Sequence, residues 1–374
     1  MSLKYRILPV FIPHFGCEHN CVFCNQHRIT ELSSSVDPLS TLQALLPTIN
    51  STPNSQLSSP NPPGNSHLNS KLSTLSSPRN SPLSSLLSPL PTPPAQIAFY
   101  GGSFTAIAVE KQNELLEAAQ QFLDFHPDNQ IRISTRPDCI DEETVARLKS
   151  YGVATIELGA QSMCDDVLTK CRRGHTSGDV RQASGIIKSA GLSLILQMMT
   201  GLPGDTPGKS LYTATEFIKL KPDGVRIYPT VVVKGTELYK MWQRGDYKEH
   251  TIDEAMELCV EICALFEVAG IPVIRLGLHP SDSLTNGDAV AGAYHPALGE
   301  LVYSKAYYKK AAKLLSDIKP GSDVALAVSK GNISRMAGNR RSNITALEHE
   351  LSLRSIKLVE SDIKPGTVEL FSAK

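Results

Sequence analysis

Between residues 96 and 233 the chain alternates short apolar runs with amphipathic stretches, and this alternation narrows its fold more than any other feature. Strand-like runs lie at 96–100, 131–135, 153–158, 192–199 and 224–233, and helical patterns near 109–124, 141–150, 178–190 and 209–219 separate them. Such a series predicts a parallel sheet with helices outside it. An earlier buried run at 7–13 brings the strand count to six. Periodicity alone also allows a full eight-stranded barrel. In either architecture ligands gather at the carboxyl ends of the strands, where Cys17, Gly101, Arg136, Gln161, Gly201 and Tyr228 fall.

The first strand feeds a loop in which Cys17, Cys21 and Cys24 are spaced C-x3-C-x2-C. Thiolates are the usual ligands of iron-sulfur clusters, and a [4Fe-4S] cluster held by three of them keeps one iron open to a ligand that is not protein. Gly16 permits a tight turn before the first ligand, and Phe23 can shield a cluster from water. Zinc is the alternative. A structural zinc wants four closed ligands, commonly in C-x2-C pairs, and no second pair follows, so His14, His19 or His27 would have to complete the set. These histidines and His175 otherwise read as loop hydrogen-bonders, and none is assigned to a metal. Cys139, Cys164, Cys171, Cys259 and Cys263 carry no ligand spacing and read as small packed apolar groups.

Lys plus Arg equal Asp plus Glu at 37 each, so no global field draws in nucleic acid or membrane, and such binding would need a local patch. No apolar run reaches the roughly 18 residues of a membrane span, and the short lead from Met1 to the cysteine loop leaves no space for a signal peptide. The expectation is a cytoplasmic protein, in a reducing compartment that suits thiolate ligands. Residues 50–94 differ from the rest. Ser, Pro and Asn fill 29 of these 45 positions and the only charges are Lys71 and Arg79, so the stretch cannot bury enough apolar area to offset its ordering entropy. It reads as a disordered insert, either a flexible tether or a tolerated expansion of a connecting loop.

Later motifs give the cysteine loop a context. Gly101-Gly102-Ser103-Phe104 follows the second strand and Gly201-Leu202-Pro203-Gly204 the fifth; with the C-x3-C-x2-C loop they resemble a radical S-adenosylmethionine (SAM) enzyme. Within that superfamily, Ile12-Pro13-His14, Ser134-Thr135-Arg136-Pro137-Asp138, Glu157-Leu158-Gly159-Ala160-Gln161-Ser162, Arg173-Gly174-His175-Thr176 and the segment from Tyr228 to Thr236 resemble the radical SAM half of the Elongator catalytic subunit. The oxygen-independent coproporphyrinogen oxidases are a more distant likeness. The resemblance covers residues 5 to 245 apart from the insert.

That resemblance implies an α/β fold, a partial (β/α)6 barrel. It implies that Cys17, Cys21 and Cys24 hold a [4Fe-4S] cluster, and that SAM binds the fourth iron and is reductively cleaved to a 5'-deoxyadenosyl radical, which takes hydrogen from the substrate. It places SAM's amino group at Gly101, Gly102 and Ser103, and ribose or carboxylate contacts at Ser134, Gln161 and Arg173. Gln197 stands on the fifth strand where relatives carry His or Asp, and Ser134 where relatives commonly carry Glu. Glu157 reads either as a substrate or ribose contact or as a buried carboxylate paired with Arg136. No catalytic side chain is assigned. The implied partners are a one-electron donor of flavodoxin or ferredoxin type and, as a candidate, tRNA. The Elongator subunit continues into an acetyl-CoA-binding acyltransferase domain, and no Gly-rich acetyl-CoA loop is found up to Lys374, so acyl transfer is not carried over.

The expected domains are the barrel at 1–278, with the insert at 50–94, a connecting helical segment at 279–321 and a small α+β domain at 322–374. A helix is expected at 251–268, a possible seventh strand at 271–277 and a helix at 304–316. In the tail, a strand at 324–328, helices at 333–337 and 342–353 and a strand at 355–359 surround Gly338-Asn339-Arg340-Arg341. With Arg335, this order resembles a KH-type RNA module whose Gly-containing turn clamps a nucleic-acid backbone. Arg341 replaces the final Gly of that turn, and a structural cap on the barrel is the alternative. Three functions follow: a radical enzyme modifying RNA, a radical enzyme acting on a small metabolite, or a non-catalytic RNA-binding protein with a structural metal. The oligomeric state is not legible.

Overall fold

A computed structural model of the chain describes residues 5–12, 20–24, 37–49, 94–281 and 284–373. Its main sheet is built from β1 (Arg6–Phe11), β2 (Ala95–Tyr100), β3 (Gln130–Thr135), β4 (Val153–Gln161), β5 (Ser193–Thr200) and β6 (Gly224–Pro229), neighbours in chain order and all parallel. The apolar run at 224–233 is two strands. Thr230 donates its backbone N–H to Thr200, and β7 (Val231–Val233) leaves the sheet. The expected seventh strand forms as β8 (Val273–Leu276), parallel to β6, so the sheet has seven strands rather than six. β1 and β8 are its two edges, so the eight-stranded closure does not form among the described residues. β7 pairs antiparallel with β9 (Ala289–Gly292).

The expected helices are α2 (Val109–Leu123), α3 (Glu142–Ser150), α5 (Ser177–Ser189), α6 (Pro207–Leu220) and α8 (Ile252–Val268); α1 (Pro38–Ile49), α4 (Asp165–Lys170) and α7 (Glu237–Arg244) carried no clear sequence signal. Their starts have local causes. Thr176 and Thr251 form capping boxes with Asp179 and Glu254, and the side chains of Asp141 and Thr206 accept from backbone N–H groups of the first turns they open. Strand alternation divides the sheet into two faces. Ile131, Ile133, Ile156, Leu158, Leu194, Leu196, Val225 and Ile227 point to the helices and pack with Leu115, Phe122, Leu148, Ile187, Phe217 and Phe266. Each side chain so buried is worth about 1.5–3 kcal/mol. The opposite face carries Ser134, Glu157, Gln197, Arg226 and Tyr228, which is why it can hold polar ligands.

α9 (Leu298–Leu315) serves two cores. Leu298 and Val302 pack into the first, whereas Tyr307, Ala311 and Leu315 pack against the tail. The tail is a three-stranded sheet in the order β11 (Ser355–Ser361), β10 (Asp323–Ser329), β12 (Val368–Ala373), with β10 and β11 parallel and β12 antiparallel. Between β10 and β11 lie α10 (Ile333–Ala337) and α11 (Ser342–Glu350). The strand-helix-helix-strand order matches expectation; β12 is additional. The Ser/Pro/Asn-rich insert lies outside the described residues apart from Pro94. No helix of the described residues is long and apolar enough to cross a membrane.

Candidate functional site

A cavity of about 1020 Å³ opens over the polar face of the sheet and its carboxyl ends. Cys21, Cys24, Gly101, Gly102, Ser103, Ser134, Gln161, Arg173 and Gln197 all line it. Cys17, His14, His19 and His27 lie outside the described residues.

Backbone bonds hold the cysteine loop in place. Val22 donates to the carbonyl of Cys171 (3.2 Å), Leu238 donates to the carbonyl of Val22 (2.7 Å), and Cys24 donates to that of Cys21 (3.0 Å), forming the turn that brings both cysteines to the rim. Arg173 reaches them from the segment after α4. Its Nη1 donates to the Cys21 sulfur (3.2 Å), its Nη2 donates to the carbonyl of Gly159 (2.7 Å), and its guanidinium lies 5.9 Å from the centre of the Phe23 ring.

The glycine loop after β2 is sterically forced. Gly101 has φ 100°, and a Cβ there would sit 2.8 Å from the carbonyl oxygen of Ile12. Ser103 hydrogen-bonds Thr135 through its hydroxyl (2.9 Å) and accepts from the backbone N–H of Arg136 (3.1 Å). Its side chain therefore joins β2 to β3. Ser134 keeps a buried hydroxyl with no hydrogen-bond partner among the described residues, as does Nε of Arg173. Gln161 has φ 65°, a conformation rare for a residue with a side chain. The cause is a bulge in β4, where Gly159 and Ala160 together oppose Gln197 alone. The bulge brings Gln161 within 3.4 Å of the Gln197 amide.

A buried and a half-buried thiol, an unpaired hydroxyl and a glycine cradle that a Cβ would fill suit a thiolate-ligated cluster and a polar organic ligand beside it. His175 is not part of that set. It is a buried loop hydrogen-bonder as expected, its Nε2 donating to the carbonyl of Ala160 (3.1 Å). Burial, helped by Arg173, lowers its pKa to about 4.

The pairing of Glu157 with Arg136 does not form. Arg136 stands beyond the end of β3 and makes two bonds to Asp138, at 3.0 and 2.7 Å. Glu157 lies deeper, in register with Ser134, and Nε of Arg226 approaches its carboxylate to 3.0 Å in an ion pair without hydrogen-bond alignment. Arg132 is 3.7 Å away. Burial pushes the Glu157 carboxyl up, while Arg226 and Arg132 pull it down. Burial also works against the charge of Arg226, but Glu157 prevails and its pKa is raised. Sequence reasoning missed Tyr100, Arg226 and Arg275. Arg226 donates to the hydroxyls of Tyr228 (3.2 Å) and Tyr100 (2.8 Å) and lies 5.3 Å over the Tyr100 ring. An arginine within the apolar run Gly-Val-Arg-Ile-Tyr was a usable signal.

The three arginines of the tail differ in their surroundings. Arg335 donates to both carboxylate oxygens of Glu300 on α9, at 2.8 and 2.6 Å, and lies 4.9 Å over the Tyr303 ring. Arg340 and Arg341 alone occupy the turn, both with positive φ.

A Radical SAM superfamily model matches residues 92–212 and a Radical_SAM C-terminal domain model residues 222–308, together more than half the chain. The chain is 34% identical over 187 residues to a tRNA uridine(34) acetyltransferase of Methanocaldococcus jannaschii, covering 45% of this chain and 35% of that protein. It is 30% identical over 185 residues to Elongator complex protein 3 of Homo sapiens, covering 44% and 34%. It thus spans about a third of the length of the curated relatives it matches. Among solved structures, the Elp3 of the archaeon Methanocaldococcus infernus, with an N-terminal deletion, superposes with a TM-score of 0.51 at 28% identity, over 58% of this chain and 54% of that one. Enzymes of this kind work with a [4Fe-4S] cluster and SAM. A cysteine loop at the mouth of a parallel sheet, a glycine cradle beside it and relatives of this kind agree, and the chain belongs to the radical SAM superfamily of enzymes.

Proposed function

We propose that Cys17, Cys21 and Cys24 hold a [4Fe-4S] cluster at the rim of this cavity, that SAM binds across the adjoining strand ends, and that the enzyme abstracts hydrogen from a tRNA nucleoside. One observation carries the reading: two of the three cysteines share a single cavity with Gly101, Ser134, Gln161, Arg173 and Gln197. When bound, the reduced cluster and SAM supply a carbon-centred radical that no side chain can. The chain's own residues bind and orient. Gly101 and Gly102 let backbone carbonyls approach the SAM ammonium, Arg173 supplies a cation at the cluster, and Ser134, Gln161 and Gln197 offer hydrogen bonds to ribose or carboxylate. Ser103 contributes backbone, its hydroxyl being engaged with Thr135. An external one-electron donor of flavodoxin or ferredoxin type reduces the cluster.

The RNA substrate rests on the relatives that act on tRNA uridine. Its test is isotopic. Reduced enzyme is incubated with SAM and tRNA deuterated at carbon, and 5'-deoxyadenosine is examined by mass spectrometry. Deuterium in that product supports the reading. Absence of label, together with absence of tRNA binding at low salt, removes tRNA as the substrate.

A further inference from the structure

Among the described residues, positive charge outweighs negative at the end of the cavity formed by β6 and β8. Arg226 and Arg275 line it with one carboxylate, Glu157, which already faces Arg226 at 3.0 Å and Arg132 at 3.7 Å, so even a fully ionised Glu157 leaves guanidinium charge uncompensated. Arg136 and Arg173, the other cations of the cavity, are engaged by Asp138 and by Cys21 with Gly159. Arg275 differs from all of these. Its Nε donates to the carbonyl of Gly277 (3.1 Å), and among the described residues no carboxylate pairs with it.

A break in strand pairing puts Arg275 there. Val273 is in register with Val225, but Arg275 rather than Ile274 is in register with Arg226. Ile274 is the extra residue of a β-bulge. Without it Arg275 would align with Ile227 and turn toward the helix-packed face, because a one-residue slip exchanges the faces of a strand. The bulge instead aims a second guanidinium into the cavity beside the first and brings Ile274 to the cavity wall. Across the gap between the edge strands, Ile7 and Phe11 of β1 line the same cavity. Ile274, Ile7 and Phe11 are 43%, 41% and 59% exposed. Three large, partly exposed apolar side chains in one cavity wall offer a surface that the apolar part of a ligand can cover.

We propose that this end of the cavity binds an anionic group of the substrate, a carboxylate or a phosphate, with Arg275 as its receptor and Ile7, Phe11 and Ile274 against the substrate's apolar body. The proposal rests on the cavity being the radical SAM active site and adds the charge of the substrate. A guanidinium presents paired donors that match either anion. Uncompensated charge in a partly buried site is costly until a counter-ion arrives, so the bound anion completes the balance that Glu157 leaves open. Arg226, held by Tyr100, Tyr228 and Glu157, is the fixed wall against which that anion is seated.

The test uses the full chain, anaerobically reconstituted, with and without saturating SAM. Two matched pairs of probes are titrated by ligand-observed NMR: uridine 5'-monophosphate against uridine, and 3-phenylpropionate against 3-phenylpropanamide. In the presence of SAM, at least one acid should bind about tenfold tighter than its neutral partner, the size of a charge-assisted hydrogen bond, and the pair that discriminates identifies phosphate or carboxylate. Arg275→Gln should abolish the difference and Arg275→Lys keep part of it, with unchanged melting temperature and unchanged SAM affinity showing that the site is otherwise intact. Equal affinity for acids and neutral partners, or discrimination that survives Arg275→Gln, overturns the proposal. So does exclusion of the acids by SAM, which would assign Arg275 to the carboxylate of SAM itself. If the wild-type protein fails to bind SAM, the reading of the cavity falls, and the titration without SAM still decides whether Arg275 is an anion receptor.

Discussion

One guanidinium nitrogen of Arg173 lies 3.2 Å from the sulfur of Cys21 and the other 2.7 Å from the carbonyl of Gly159, so one side chain ties the cysteine loop to the bulged end of β4. A donor to a ligating sulfur stabilises its negative charge and steadies the bond to metal. Arg173→Ala is therefore expected to lose iron to a chelator about tenfold faster than wild type. Arg173→Lys should fall between the two, since an ammonium cannot reproduce the fork. Identical rates for all three proteins would show that the contact plays no part in holding metal.

Gly101 is required by its backbone. Its φ of 100° and the 2.8 Å approach of the Ile12 carbonyl to any added Cβ mean that Gly101→Ala must distort the loop. The expected loss of stability is about 1–3 kcal/mol, read from denaturant unfolding, with weakened SAM binding by calorimetry. Unchanged values in both measurements would contradict the cradle.

His175 makes the fold sensitive to acid. Its pKa falls from 6.5 to about 4 on folding, because burial and Arg173 disfavour the imidazolium. Between these values the unfolded chain binds the proton and the folded chain does not, so stability rises with pH. The contribution is complete above 6.5 and is lost as pH falls toward 4. At full development it is about 3 kcal/mol. His175→Gln, which keeps a donor for the Ala160 carbonyl, should flatten the stability curve between pH 6.5 and 4. A curve as steep as wild type would assign the effect to other groups.

The sequence disclosed most of the fold because apolar periodicity is set locally. The strands at 96–100 and 131–135 and the helix at 251–268 were legible to within a residue or two. What escaped depends on pairing across the sheet. Nothing in Val273-Ile274-Arg275-Leu276 reveals that Ile274 is a bulge, so the inward turn of Arg275 could not be read. Arg136, one of the two partners offered for Glu157, stands at the strand end where it was expected, but which carboxylate its side chain reaches is set by packing across the sheet. It lies beyond β3 and finds Asp138, while Glu157 faces Arg226 from a strand two places away. Arg335 looked available for RNA beside a turn rich in arginine, but it pairs with Glu300 on α9, a partner 35 residues away in sequence.

The Glu157 cluster is a further point of test. Removing the carboxylate leaves Arg132 and Arg226 facing each other without a counter-ion, and Glu157→Ala is expected to cost about 3–5 kcal/mol. Adding Arg226→Met should restore part of that loss, because the remaining buried charge is then single. Additive losses in the double variant would mean that the two residues are not coupled.

Activation of SAM by a cluster on the three loop cysteines is tested most directly by the yield of 5'-deoxyadenosine from SAM by anaerobically reconstituted, chemically reduced protein, compared for wild type and for single Ala substitutions of Cys17, Cys21, Cys24, Cys139 and Cys263. A brown protein and product are expected from wild type, Cys139→Ala and Cys263→Ala, and neither cluster nor product from the other three. A colourless wild-type protein holding stoichiometric zinc, or product formation that survives loss of Cys21 or Cys24, would contradict it.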